Sequence, residues 1–312
     1  MPGRVFVTGA GGFVGTAVVG ELVKRNIPVT ALVNRQELKV AAGSVQTLRG
    51  SMLDPKALDE GMAGCEAVMH LVGIIMERPA EGITFERIHD EGTRSVVDAA
   101  QRAGIKRYLH MSALGSRPDA VSTYHKTKFA AEQYVRESGL EWTIFRPSLI
   151  HGPGGEFMKM EAMWARKRAP APLFFMPFMP YFGAGFFGRG GAGMLQPVYV
   201  NDVARAFVDA LENRKTVGEV YLLGGPDTFT WPQLHRTIGR AVVGYDRWVM
   251  PGPAWKAKLM ARLGIGRIAG FNWDQVVMSQ EDNTCDMTKF VDDFGWTPQK
   301  FEETLRSYAG QL

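Results

Sequence analysis

Two hydrophobic rhythms take turns along the first half of the chain. Short apolar or β-branched runs at Arg4–Thr8, Pro28–Val33, Val45–Leu48, Ala67–Leu71, Arg107–Met111 and Glu141–Arg146 predict six strands. Helix-period patterns fill the gaps over Thr16–Arg25, Pro55–Met62, Glu86–Ala103 and Tyr124–Ser138. The punctuation agrees with the periods. Asp54 followed by Pro55 reads as an N-cap and a first helical residue, while Gly104 and Gly139 close the two longer helices. Strands that alternate with helices predict right-handed βαβ crossovers and a parallel sheet covered on both faces.

After Pro147 the rhythm loosens. Short strands at Gln196–Val200 and Val220–Leu223 mix with helices at Asn201–Asn213 and Trp231–Val243. The expected division is a sheet domain over residues 1–150 and a smaller α/β part over 151–312, with about 196–225 returning to the main sheet.

The first strand runs into Thr8-Gly9-Ala10-Gly11-Gly12-Phe13-Val14-Gly15, a glycine-rich turn that opens a helix. Gly9 permits the tight turn, Gly12 lets backbone N–H groups approach a pyrophosphate, and Gly15 lets the helix pack closely. The positive end of the helix dipole then faces the phosphates. This predicts a doubly wound dinucleotide-binding fold of the Rossmann type. Where an acidic residue would hold the ribose hydroxyls of NAD, the second strand ends in Val33-Asn34-Arg35. A guanidinium there can fork onto a 2′-phosphate, so NADP(H) is preferred and NAD(H) is the alternative.

Composition narrows the class without changing it. Of 312 residues, 46% are hydrophobic and 22% charged, as in ordinary globular proteins. Cys65 and Cys285 stand alone, which excludes a disulfide framework or a zinc cluster and fits a reducing compartment. A net charge of +4 is no nucleic-acid footprint. The first strand begins too early for a secretory signal peptide, and Pro170, Pro172, Pro177 and Pro180 break the longest uncharged run. The expectation is a cytoplasmic protein, with peripheral contact at a membrane surface as an addition.

Tyr124-x-x-x-Lys128 places a phenol and an ammonium on one face at the start of a helix. A neighbouring ammonium lowers a phenol from about 10 towards neutrality and makes it a usable proton shuttle. With Thr8-Gly9-x-x-Gly12-x-x-Gly15, Arg146-Pro147-Ser148 and Tyr199-Val200-Asn201-Asp202-Val203-Ala204, the chain resembles the extended and atypical short-chain dehydrogenases/reductases. Tyr124 to Glu132, Asp282-Asn283 and Phe294-Gly295-Trp296-Thr297-Pro298 are most similar to one branch of that family. It contains the nucleotide-binding accessory subunit of respiratory complex I and its bacterial relatives.

The resemblance implies that Phe13 and Val14 lie over the pyrophosphate and that Leu71-Val72-Gly73 run beside the adenosine and ribose. It places Pro147 and Ile150 near the nicotinamide, with Lys128 on the nicotinamide ribose. The family's adenine-facing Asp is replaced by Ser51-Met52, leaving the Met52 backbone for that contact. Active members carry a hydroxyl after the fifth strand. Here Ala113 takes that place and Ser112 comes one residue early, so Ser112, Ser122 or Thr123 would have to assist Tyr124. His70, His89, His110, His125 and His151 are scattered and read as core or surface histidines, although His151 follows the nicotinamide-side Pro147. No metal is expected.

Two stretches, 163–194 and 247–268, combine aromatic residues with Arg166, Lys167, Arg168, Lys256, Lys258, Arg262 and Arg267. A buried lid or dimer contact, a pocket for a long hydrophobic substrate, and a membrane-surface or membrane-complex contact all fit them. The expected function is hydride transfer to or from a carbonyl or hydroxyl carbon of a small hydrophobic substrate, with epimerisation or dehydration through a transient keto intermediate as a variant of the same chemistry. The alternative is a non-catalytic NADP(H)-holding structural or assembly protein of a membrane redox complex. Nucleic acid is not an expected partner.

Overall fold

The computed structural model describes residues 3–38, 40, 43–168, 179–188, 192–264 and 271–312. The chain divides into two compact units. The first comprises residues up to Pro147 together with Val200–Leu223 and Asp286–Trp296; the second comprises Ser148–Tyr199, Gly224–Cys285 and Thr297–Leu312.

In the first unit the chain runs β1 (Val5–Thr8), α1 (Phe13–Lys24), β2 (Val29–Val33), β3 (Val45–Arg49), α2 (Pro55–Met62) and β4 (Ala67–His70). It continues through α3 (Gly92–Arg102), β5 (Arg107–Met111), α4 (Thr123–Glu137) and β6 (Glu141–Pro147). The strands form one parallel sheet in the order β3-β2-β1-β4-β5-β6, extended beyond β6 by Glu219–Leu223. Strand order reverses between β1 and β4. In open α/β sheets ligands bind outside the carboxyl ends of the strands at that point.

The residues explain the layering. β1, β2 and β4 are buried at every position, as strands covered on both faces must be, whereas the edge strand β3 is largely exposed. On one face Phe6, Val68 and Tyr108 pack against Leu58 and Met62 of α2, Val96 and Val97 of α3 and Val135 of α4. Asp54 caps α2 by accepting from the Lys56 N–H at 3.0 Å, with Pro55 at the first turn.

One expected helix differs. Residues Glu86–Glu91 form a π-helical turn ahead of α3 rather than its first α-turn. Gly92 follows, where any Cβ would lie 2.4 Å from Cε of Met52. The wider turn carries His89, whose contacts are described below.

The chain re-enters this unit after a second-unit segment. That segment contains β7 (Ile150–His151), α5 (Glu156–Ala165), β8 (Met179–Gly183) and β9 (Val198–Tyr199). Then α6 (Val200–Glu212) and β10 (Glu219–Leu223) return, β10 pairing in parallel with β6. Arg107 of β5 fastens the return by donating to the carbonyls of Glu141 and Ala210 and to the hydroxyls of Thr143 and Thr216. Four acceptors make a buried guanidinium tolerable.

The second unit continues with α7 (Trp231–Val243), β11 (Val249–Pro253), α8 (Ala254–Arg262) and α9 (Trp273–Met278). α10 (Thr288–Phe294) belongs to the first unit, and α11 (Phe301–Tyr308) to the second. The second unit's main core gathers Met158, Leu195, Leu234, Ile238, Phe301 and Tyr308.

Candidate active site

The glycine turn is built by contacts that admit no side chain. Gly9 has φ +72°, a left-handed conformation, and its N–H-side neighbours close the turn with Gly12 N–H donating to Gly9 O at 2.9 Å. A Cβ on Gly15 would fall 2.0 Å from that same carbonyl, so the third glycine seats the helix on the turn rather than on the sheet. Gly12 is the N-cap of α1, and no side chain caps it among the described residues. Phe13 and Val14 open the helix, which carries no acidic residue in its first turn. Uncapped N–H groups beside a glycine cradle suit a pyrophosphate.

Arg35 follows β2 and donates to Glu81 at 2.6 Å, an exposed ion pair that holds the Glu81 carboxyl below its usual range. Glu81 was not foreseen from the sequence; it arrives from a loop after β4. Ser51 accepts the Leu53 N–H at 3.1 Å, and the Met52 side chain is buried in the core. Leu71 N–H donates to Thr8 O at 3.3 Å, which holds the Leu71-Val72-Gly73 segment beside the glycine turn.

Lys128 ties this segment to α4. Its buried ammonium donates to the carbonyls of Met111, at 3.0 Å, and Val72, at 3.3 Å. Gly73 leaves room for it, since a Cβ there would lie 3.1 Å from Lys128 Nζ. Burial pushes Lys128 down to about 8, and the carboxylate of Glu132 one turn along opposes that. The neighbouring phenol does not move towards neutrality as expected. Desolvation of the phenolate pushes Tyr124 up to about 12.

Three rings clamp Tyr124. His89 meets it edge-on with centroids 5.2 Å apart, Phe85 at 5.7 Å and His125 at 5.3 Å. No local sequence pattern signals the order behind His89. Its Nε2 accepts the Ile74 N–H at 3.2 Å, so Nδ1 carries the proton and donates to Thr127 Oγ1 at 2.9 Å. Thr93 donates to His89 O and so accepts from His70 Nε2, and His70 Nδ1 accepts from Thr8. His110 stacks on His70 at 5.4 Å, and neither of its ring nitrogens finds a partner among the described residues. Burial drives His70 to about 3 and holds His89 and His110 well below their ordinary value. His70, His89 and His110, scattered in sequence, thus gather in space. No cluster of three metal-binding side chains occurs among the described residues.

Ser112 is buried, with its hydroxyl 3.1 Å from that of Ser116. Ser122 is the N-cap of α4, its hydroxyl oxygen accepting the His125 N–H at 3.2 Å.

Residues 9–161 match the NAD(P)H-binding family. A reductase of (4-alkanoyl-5-oxo-2,5-dihydrofuran-3-yl)methyl phosphate from Streptomyces griseus is 30% identical over 76% of this chain and 74% of its own length. The chain belongs to the extended short-chain dehydrogenases/reductases. The mitochondrial NADH dehydrogenase [ubiquinone] 1 alpha subcomplex subunit 9 of Arabidopsis thaliana is also 30% identical, over 82% of this chain. The match spans only 62% of that relative's length. The dTDP-glucose 4,6-dehydratase DesIV from Streptomyces venezuelae, solved with NAD and TYD bound, shares the fold. Its TM-score is 0.75 at 20% identity, covering 98% of this chain and 95% of that one.

Several residues that carry the family resemblance are structural in this short-chain dehydrogenase/reductase. Arg146 grips the buried Glu132 with two bonds of 2.6 and 2.8 Å, pinning β6 to α4. Pro147 ends β6, its carbonyl accepting the Leu114 N–H at 2.9 Å. Trp296 Nε1 donates to Asp209 at 2.8 Å, and Gly295 closes α10 with φ +73°. In the second unit, Ile150 lies in β7 paired with Val198, and Asn283 Oδ1 accepts the Leu149 N–H at 2.9 Å. His151 is a core histidine there, 2.9 Å from the Tyr308 hydroxyl and packed on Phe301 and Tyr199. Of the two aromatic and basic stretches, residues 169–178, 189–191 and 265–268, with Arg267, lie outside the described residues. No helix of the described residues is long and apolar enough to cross a membrane.

Proposed function

We propose that this chain is an NADPH-dependent reductase of a carbonyl on a small hydrophobic substrate, with Tyr124 as general acid. The carrying observation is the Tyr124 phenol ringed by Phe85, His89 and His125 on the first turn of α4, four residues before the buried Lys128. When bound, the reduced nicotinamide supplies the hydride to the carbonyl carbon. Tyr124 gives its proton to the carbonyl oxygen, and Lys128 offsets the phenolate left behind. Lys128 at about 8 is still mostly protonated near neutral pH, which that role requires. Gly9, Gly12, Phe13, Val14 and Gly15 hold the pyrophosphate on the uncapped N-terminus of α1. Ser51, Met52, Leu71, Val72 and Gly73 line the adenosine side, and Pro147 the nicotinamide side.

Arg35 selects NADPH. Its pair with Glu81 is exposed and worth little, so a 2′-phosphate displaces the carboxylate. A hydrophobic substrate is supported by the alkanoyl group in the name of the Streptomyces griseus relative. The two free cysteines suit a reducing compartment such as the cytoplasm.

A second reading rests on Ala113, which supplies no hydroxyl, on Ser112 being turned to Ser116, and on the similarity to a complex I subunit. Under it the chain holds NADPH without turning it over. Fluorescence titration with NADPH and NADH, followed by a panel of hydrophobic ketones, tests both. Tight NADPH binding with ketone-dependent oxidation supports the reductase; tight binding and no oxidation supports the holding role.

A further inference from the structure

α8 is amphipathic in the wrong direction for a water-facing surface. Its inward positions are the small Ala254 and Ala257, packed with Val276 and the flanking Phe182 and Phe271. Its outward positions are Trp255, Leu259 and, at the helix end, Leu263, at 43%, 51% and 66% exposure. Spacings of four place these three on one stripe. The stripe continues into the loop after β8. Phe186 stacks on Trp255 at 5.6 Å, the Trp255 Nε1 donates to Phe186 O at 3.1 Å, and Phe187 meets Phe186 edge-on. Phe186 and Phe187 are 70% and 73% exposed, the opposite of what a buried lid requires. Trp248, just before β11, and Met250, early in it, are further exposed apolar side chains.

Cations flank the stripe. Lys256 stands 5.4 Å from the Trp255 ring, and Arg262 lies over Trp273 at 4.3 Å with Lys258 beside it. No acidic residue occurs from Met179 to Gly188 or from Arg247 to Trp273. A row of large apolar and aromatic side chains with lysine and arginine at its margin is the surface of an interfacial helix. A symmetric pairing of two copies through this face would bring the same cations together.

We infer that α8 and the loop carrying Phe186 and Phe187 dock this chain on an anionic lipid surface. The aromatic and leucine side chains enter the headgroup boundary, and Lys256, Lys258 and Arg262 meet the lipid phosphates. A helix of nine residues lies on a bilayer and does not cross it. The contact is reversible adsorption. It stands apart from the reductase reading, because vesicle binding needs no turnover.

The test is co-sedimentation of the full chain with vesicles of phosphatidylglycerol and phosphatidylcholine, against phosphatidylcholine alone. Binding should be about tenfold stronger on the anionic vesicles and weaken with salt. The double variants Leu259→Ser/Leu263→Ser and Lys256→Glu/Arg262→Glu alter only exposed side chains. Both should lose binding while keeping the NADPH affinity and unfolding temperature of the parent. The inference is overturned if the parent ignores anionic vesicles or if both variants, folded, bind as well as the parent. A dimer that depends on Leu259 and Leu263, without vesicle binding, would assign the face to a second copy instead.

Discussion

The rings of His89 and Tyr124 meet nearly at right angles, with centroids 5.2 Å apart. His89 is held in place by the Ile74 N–H and Thr127, so the ring that fixes Tyr124 is itself fixed from both sides. An aromatic contact of this kind is worth roughly 1 kcal/mol beyond its buried area. His89→Ala should lower kcat about tenfold or more while leaving NADPH affinity unchanged, because His89 orients the acid. Unchanged kcat with a lower Tm would make His89 a purely structural residue.

Arg35 and Glu81 give a prediction on cofactor choice. Arg35→Asp should weaken NADPH by roughly tenfold to a hundredfold, the value of a charged hydrogen bond, with little effect on NADH. Glu81→Gln should strengthen NADPH a few-fold by removing a competing carboxylate. Fluorescence titration of both cofactors reads this, and equal NADPH affinity in all three proteins would remove Arg35 from the site.

The glycine turn, the Asp54 cap and the Tyr124–Lys128 helix were legible in the sequence because each is a local pattern of period, cap or spacing. What was not legible came from register and distance. His70 and His110 stack because β4 and β5 pair them across the sheet, and no local window of sequence contains both. Glu81 reaches Arg35 from a loop far along the chain, and the π-turn at His89 has no periodic signal against the α pattern that follows it. The outward stripe of α8 was written in the sequence, as alanines at 254 and 257 against large residues at 255 and 259. Which side faced the core needed the structure.

Buried neutral histidines set the response to acid. His70 and His151 are held at about 3, and His89 and His110 well below the ordinary value. Below pH 6.5 or so the unfolded chain takes up protons that the folded chain refuses, so stability falls as pH drops from there towards about 3. Each such group contributes up to about 1.4 kcal/mol per pH unit. Urea midpoints should therefore fall between pH 7.5 and 5.5, to be read as unfolding curves at the two values. An unchanged midpoint would contradict the burial of these imidazoles.

His110 is the weak member of that group, with two unpartnered ring nitrogens in the interior. His110→Phe keeps a ring against His70 and removes both polar atoms. It should raise stability by about 1 kcal/mol and reduce the acid sensitivity. A loss of stability would mean that the imidazole nitrogens are satisfied in solution.

The central claim is that Tyr124 delivers the proton in a carbonyl reduction. The direct measurement is the near-ultraviolet absorbance of reduced nicotinamide as hydrophobic ketones are added to the NADPH-loaded chain, for the parent and for Tyr124→Phe. The account predicts ketone-dependent loss of absorbance in the parent, slower by on the order of a hundredfold or more in Tyr124→Phe, with NADPH affinity retained. Equal oxidation by the two proteins, or tight NADPH binding by the parent with no oxidation by any ketone, would contradict it.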